Sequence, residues 1–90
     1  MSNKTELQAY KRMIKATGEY IEKLQNHIKT LEEASIFFLT AMDNDDLSKK
    51  YESKLKDSIS DLKTALKHAL NLQLNLANQY KALIKIAEDE

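Results

Sequence analysis

The feature that most limits the fold of this chain is how little interrupts it. The 90 residues contain no proline and a single glycine, Gly18, whereas turns and loops are normally marked by these two residue types. Only Asp43-Asn44-Asp45-Asp46 combines short polar side chains that cap a helix with acids that favour its N-terminal end. The sequence therefore predicts two long helices with one break between them.

Upstream of the break, apolar or small residues recur at steps of three and four. This spacing is the heptad pattern of a helix that packs along one face. Asn3, followed three residues later by Glu6, fits a capping pair at the start. We therefore predict helix one from about residue 4 to about residue 42, with a buried stripe of Leu7, Tyr10, Ile14, Thr17, Ile21, Leu24, Ile28, Leu31, Ser35, Phe38 and Met42.

The same stepping continues downstream, through a segment (residues 69–80) that alternates apolar and polar residues as a strand would. A strand there would use Asn and Gln, which are poor strand formers, and would need bounding turns that the sequence lacks. We therefore predict helix two over about residues 47–87, with a stripe of Leu55, Ile59, Leu62, Leu66, Ala69, Gln73, Leu76, Tyr80, Leu83 and Ala87.

The apolar face of helix two is wider than one partner helix covers. At 100° per residue, Leu70 and Leu74 lie well to one side of the stripe and Leu72 lies on the other side. With Ala77, they widen the apolar arc to roughly 200°, about twice the stripe of a helix that packs on one core. These four residues belong to the predicted partner interface, together with Tyr51 and with Phe37, which adds apolar surface off the stripe near the turn.

A connection of a few residues makes the two helices antiparallel neighbours. The predicted fold is therefore all-α: one helical-hairpin domain over residues 1–90, with a turn at about 43–46. A lone hairpin has a single seam, and small chains already bury little surface. We expect two copies, or this hairpin and a second helical protein, to close a four-helix bundle.

Composition narrows the function classes. The net charge is zero and acids and bases are interleaved along the chain, whereas nucleic-acid binding needs a clustered basic excess. No cysteine is present, which excludes cysteine-based redox and metal chemistry. No segment approaches the ~20 apolar residues of a membrane span, and the N-terminus lacks the apolar core of a signal peptide. We expect a cytoplasmic protein, or one exported with a partner without a cleaved signal.

Metal and cofactor sites are not expected. A calcium loop beginning at Asp43 would need an oxygen ligand and then glycine where Leu47 and Ser48 stand. In the hairpin, His27 and His68 would lie about seven residues apart along the axis, roughly 10 Å, which is too far to share a metal.

No catalytic machinery is evident either, since no serine, histidine and acid can be placed together and no glycine-rich phosphate loop exists. We therefore expect a protein that is not an enzyme. The tyrosines Tyr10, Tyr20 and Tyr80 are predicted to be core residues with hydroxyls at the rim. Gly18 has two interpretations: room for a bulky side chain of a partner, or a tolerated weak point in the helix.

The start of helix two carries a family likeness. In LSKKYESKLKD, residues 47–57, Tyr51 stands at an aromatic position four residues after Leu47 and two after Lys49. With a chain of about ninety residues and a mid-chain turn, this resembles the WXG100 or ESAT-6-like family, whose pattern has tryptophan and glycine where Leu47 and Lys49 stand. The family's export signal is a tyrosine followed four residues later by an acid. Tyr80 is placed where that tyrosine would stand, but the residue four positions later is Ile84.

The resemblance implies a small carrier or companion in type VII secretion that dimerises into a four-helix bundle. Without its own export signal, the chain would bind another helical protein, such as an LXG-type effector domain, with Tyr51 near the hairpin tip as a docking residue. Two other classes remain open: a generic coiled-coil or bundle adaptor of phage or regulatory origin, and a small helical immunity or antitoxin protein.

Overall fold

The computed structural model describes residues 2–41 and 46–89, and each range is one continuous helix. Helix α1 spans Ser2–Ala41 and helix α2 spans Asp46–Asp89. Every residue in these two ranges is helical, and the helices pack as an antiparallel hairpin. The prediction of an all-α helical hairpin is confirmed, and the alternating segment 69–80 is helix.

The observed helix ends lie within two residues of the predicted ones, a difference that helix-end definitions allow. Asn3 lies inside α1 rather than ahead of it, so it is not the first capping residue. Asp46 is the first residue of α2. The remaining residues of the predicted turn, and Met42 of the predicted stripe, lie outside the described residues.

The predicted stripes are the faces that the two helices turn toward each other. On α1, every described stripe residue is buried or half-buried, and the least exposed are Thr17, Ile21, Leu24, Ile28 and Ser35. On α2, the stripe is half-buried from Leu55 to Leu83, and Ala69 is buried. Ala87 is exposed, because it lies at the end of α2, where little of α1 remains opposite.

The hairpin divides into two compact units, each built from one segment of each helix. Unit 1 combines Met1–Ile21 with His68–Glu90, and unit 2 is Glu22–Lys67. Unit 1 therefore contains the start of α1 and the end of α2, and unit 2 contains the end of α1 and the start of α2.

Unit 1 has a polar layer inside its seam. Thr17 is buried, and its hydroxyl donates a hydrogen bond to the carbonyl oxygen of Met13, 2.7 Å away. This bond to the preceding turn satisfies a hydroxyl that burial would otherwise penalise. On α2, the Nε2 atom of Gln73 lies 3.3 Å from the position that a Cβ on Gly18 would take. The space beside Gly18 is therefore occupied by an amide of the same chain.

Aromatic rings join the two helices in unit 2. Phe38 on α1 and Tyr51 on α2 stack with centroids 6.1 Å apart and planes 20° apart. Phe37 meets Phe38 edge-on at 6.0 Å, and Nζ of Lys54 lies 5.9 Å from the Tyr51 ring centroid, within cation–π range. The stack links α1 to α2 close to the turn.

A carboxylate also lies at the edge of the seam in unit 2. The side chain of Glu52 is only 14% exposed, and its Oε1 lies 2.8 Å from Nζ of Lys56, one turn later. The ammonium group of Lys56 compensates the charge of this nearly buried carboxylate. Because the lysine end is well exposed, the attraction itself is screened and contributes little to stability.

Gly18→Ala is expected to stabilise the hairpin. Alanine is favoured over glycine inside a helix by about 1 kcal/mol, and the new methyl group meets the end of a flexible amide side chain, which can rotate away. The melting temperature followed by circular dichroism should rise by about 4–8 °C for each kcal/mol gained. When Gln73→Ala is already present, Gly18→Ala should raise the melting temperature by at least as much. A fall in the wild-type background alone would show that the Gln73 amide cannot move.

Tyr51→Ala is expected to destabilise the turn end, whereas Tyr51→Phe should leave stability nearly unchanged. The stack on Phe38 involves the ring and not the hydroxyl, and aromatic pairs contribute about 0.5–1.5 kcal/mol beyond their buried area. Urea unfolding of both variants measures the difference. The losses in unfolding free energy caused by Tyr51→Ala and Phe38→Ala should not add in the double variant, because each substitution removes the same stack. An unchanged midpoint for Tyr51→Ala would leave Tyr51 free for partner binding.

Candidate protein-docking surfaces

The apolar side chains that the hairpin leaves exposed are the main candidates for function. Among the described residues, the buried apolar side chains are Ile21, Leu24, Ile28 and Ala69. The exposed large apolar residues outnumber them: Met13, Tyr20, Ile36, Phe37, Leu39, Leu47, Tyr51, Leu70, Leu72, Leu74 and Ile86. Single exposed apolar residues are ordinary, whereas clusters mark interaction surfaces. The grouping of these residues therefore matters more than their number.

Helix geometry sorts exposed residues onto the two sides of the seam. A residue that directly follows a stripe residue lies on one side, and a residue that directly precedes one lies on the other. Because α1 and α2 run in opposite directions, this rule selects the same side for both helices. Each unit therefore has two flanks, and each flank takes residues from both helices.

The first flank of unit 1 contains predicted interface residues. Leu70 follows Ala69 and is 45% exposed, and Leu74 follows Gln73 and is 59% exposed. Ala77, one turn further on, is half-buried. We call Leu70, Leu74 and Ala77 the leucine flank. The sequence correctly predicts that Leu70 and Leu74 lie outside the stripe, although their role in binding stays a prediction.

The opposite flank of unit 1 is free of charge over much of its length. This flank consists of the residues that directly precede stripe residues. Those from Ala9 to Tyr20 on α1 and from Leu72 to Ile86 on α2 include no acid and no base. We call this set the uncharged flank: Ala9, Met13, Ala16, Tyr20, Leu72, Asn75, Gln79, Ala82 and Ile86. In a chain with 31% charged residues, such depletion of charge together with Met and Tyr is typical of interface centres.

Sequence reasoning finds only part of the uncharged flank. Leu72 belongs to the predicted interface, but Met13, Tyr20 and Ile86 do not. Tyr20 is predicted as a core residue, and this is wrong: it is 51% exposed, because it precedes Ile21 instead of occupying the stripe. Tyr10 and Tyr80, which occupy the stripe, are half-buried as predicted. Comparing the neighbours of both stripes would have revealed the flank.

The turn end of unit 2 holds the other two predicted interface residues. Phe37 is 61% exposed and Tyr51 is 46% exposed. Tyr51 keeps this exposure although its ring stacks on Phe38. Leu47, at the tryptophan position of the WXG100 pattern, is also exposed. These residues form a second apolar patch, but Tyr51 there has a packing role.

The polar side chains of the described residues are spread along the helices. Lys56, Lys63 and Lys67 line an open depression on α2 in unit 2, together with Ile59, Ser60 and Thr64. The Thr64 hydroxyl donates to the carbonyl oxygen of Ser60 at 3.1 Å. These residues form a lysine-rich face that is open to solvent.

His27 and His68 are exposed and belong to different units. Among the described residues, no three acidic or histidine side chains converge as metal ligands would. Within the same residues, neither helix has a stretch long and apolar enough to cross a membrane.

Comparison with known proteins gives no family or relative from which to infer the function of these surfaces. No protein-family model matches the chain, and no curated protein or solved structure matches it either.

Proposed function

We propose that this chain is a non-enzymatic helical protein–protein interaction module that binds other helices along the flanks of unit 1. The observation that carries the proposal is the clustering of half-exposed Leu70, Leu74, Tyr20, Leu72 and Met13 on both sides of a seam that is itself covered. Apolar anchors of this kind supply most of the affinity of a helix-on-helix contact, and the surrounding charges select the partner.

The uncharged flank is the proposed site of self-association. A two-fold dimer places the same patch of each copy against the other, so any like charges on the patch would repel. Between Ala9 and Tyr20 and between Leu72 and Ile86, this flank has none. A second hairpin laid along it would complete a four-helix bundle, in which every helix has two apolar neighbours.

The proposed biological setting is type VII secretion, in which the chain acts as a WXG100-like companion or carrier of another helical protein. The hairpin architecture and the aromatic position of Tyr51 support this setting. An LXG-type effector domain is the proposed partner. Synthesis in the cytoplasm and export together with that partner follow from the proposal.

Co-expression with the product of the neighbouring open reading frame tests the setting. A stable complex with an LXG-like helical domain supports the companion role. A homodimer that does not bind the product of the neighbouring open reading frame indicates a generic bundle adaptor and contradicts the companion role. Suppression of a neighbouring toxin's activity, without co-export, indicates an immunity protein and contradicts the companion role as well.

The free protein is expected to associate at micromolar concentration. Exposed apolar residues on both flanks of unit 1 give the hairpin apolar surface that association would cover. Sedimentation equilibrium should return a mass above that of the 10.4 kDa chain. A well-folded 10.4 kDa monomer would contradict the proposed self-association, and circular dichroism verifies that the sample is folded.

Leu70→Asp combined with Leu74→Asp is expected to weaken partner binding while leaving the helices intact. Loss of a central apolar anchor typically costs more than about 1–2 kcal/mol, which is roughly tenfold or more in affinity. Calorimetry of the co-expressed complex measures the loss, and circular dichroism measures helix content.

The matched control is Asn71→Asp with Asn78→Asp, which adds the same charge to exposed positions off both flanks. Tyr20→Asp with Leu72→Asp should instead weaken self-association. Unchanged binding in both flank variants would refute the docking role of unit 1.

A further inference from the structure

The leucine flank carries a charge pattern that the uncharged flank lacks. Lys11 follows Tyr10 and Lys15 follows Ile14 on α1, and Lys81 follows Tyr80 on α2, so all three lie on the same side of the seam as Leu70 and Leu74. All three lysines are exposed.

On this side of the seam, two acids follow stripe residues at or within the limits of unit 1: Glu88, near the end of α2, and Glu22, directly after Ile21 at the boundary of the unit. None of the three lysines forms an ion pair with a carboxylate of the described residues. The ammonium groups on this flank are therefore available to a partner.

We propose that the leucine flank binds an amphipathic helix whose apolar stripe is bordered by aspartate or glutamate. This inference rests on the proposed function of unit 1 as a helix-docking module and adds the chemistry of the partner. Leu70, Leu74 and Ala77 contact the apolar stripe, and the three lysines contact the acidic border. Charge pairs at the rim of such a contact mainly set which partner is accepted and how fast it associates.

A second copy does not fit this flank. A two-fold contact through the same patch would bring the lysines of one copy toward those of the other, and like charges set against each other are unfavourable. Self-association therefore belongs on the uncharged flank. The two flanks separate the two kinds of partner by charge alone.

An anionic membrane also attracts lysine-bordered apolar faces, but this flank has few of the features that membrane binding uses. Surface-bound helices present Trp, Phe or Leu over a broad face, and lipid-binding basic clusters contain 4–8 Lys or Arg residues. The leucine flank has two leucines, one alanine and no aromatic residue, and the same side also carries Ile84, three lysines and the acids Glu22 and Glu88. A helix of complementary charge fits this narrow strip better.

The test uses two synthetic helical peptides with the same Leu/Ala stripe, bordered by Glu in one and by Lys in the other. Each is titrated against the full chain by fluorescence anisotropy. The Glu-bordered peptide should bind at least roughly tenfold more tightly at low ionic strength, and the difference should shrink as salt is added.

Charge reversal provides the matched comparison. Lys11→Glu with Lys81→Glu should reverse the preference between the peptides. Arg12→Glu with Lys85→Glu makes the same change in charge, one residue on each helix, at exposed positions outside both flanks, and should preserve the preference. Equal binding of the two peptides, failure of both to bind, or a preference unchanged by Lys11→Glu with Lys81→Glu overturns the inference.

Two further measurements distinguish the possible failures. If Leu70→Asp with Leu74→Asp abolishes peptide binding but charge reversal has no effect, helix docking stands and the acidic partner is wrong. If neither peptide binds and no flank variant alters association, the proposed function fails as well. Binding to phosphatidylserine vesicles that Lys11→Glu with Lys81→Glu abolishes, without peptide binding, overturns the helical partner in favour of a membrane.

Discussion

The structure depends on a single seam between two helices. In a larger bundle, each helix has several neighbours, whereas within residues 2–41 and 46–89 each of the two helices packs against the other. No side chain among the described residues is fully buried, and the best-covered apolar residues, such as Leu24 and Ile28, still keep a little exposure. A layer one side chain thick provides little hydrophobic stabilisation, and it leaves both sides of the hairpin open.

The open sides connect packing to function. The packing of α1 on α2 covers the stripe residues but not the residues beside them. The residues directly before and after each stripe residue therefore determine what the hairpin presents to other molecules. In unit 1, those residues are uncharged on one side from Ala9 to Tyr20 and from Leu72 to Ile86, and on the other side they include two leucines and three lysines. The same geometry leaves polar residues inside the seam: Thr17 bonds to its own helix, and Gln73 fills the space beside Gly18.

The helices, the stripe and the wide apolar arc of α2 could all be read from residue spacing, because a helix repeats every 3.6 residues wherever its neighbours lie. Other features depended on which helix lies opposite. Gly18 has no identifiable role until Gln73 is placed beside it. Tyr51 can be a docking residue or a packing residue until Phe38 is found stacked on its ring. Each pair is distant in sequence, and one-dimensional periodicity carries no information about such contacts.

The sequence by itself determined that this chain forms two helices with exposed apolar residues beside the stripe of α2, because local spacing and the absence of helix breakers are sufficient for that. Only the tertiary structure decided the register in which residues of α1 lie beside those of α2, as the contacts of Gly18 with Gln73 and of Phe38 with Tyr51 show. Tyr20 shares one side of the seam with Leu72 because the helices run antiparallel, and Lys11 and Lys15 share the other side with Leu70 and Leu74 for the same reason. Surface composition on a hairpin depends on the direction and register of both helices, and neither helix encodes these alone.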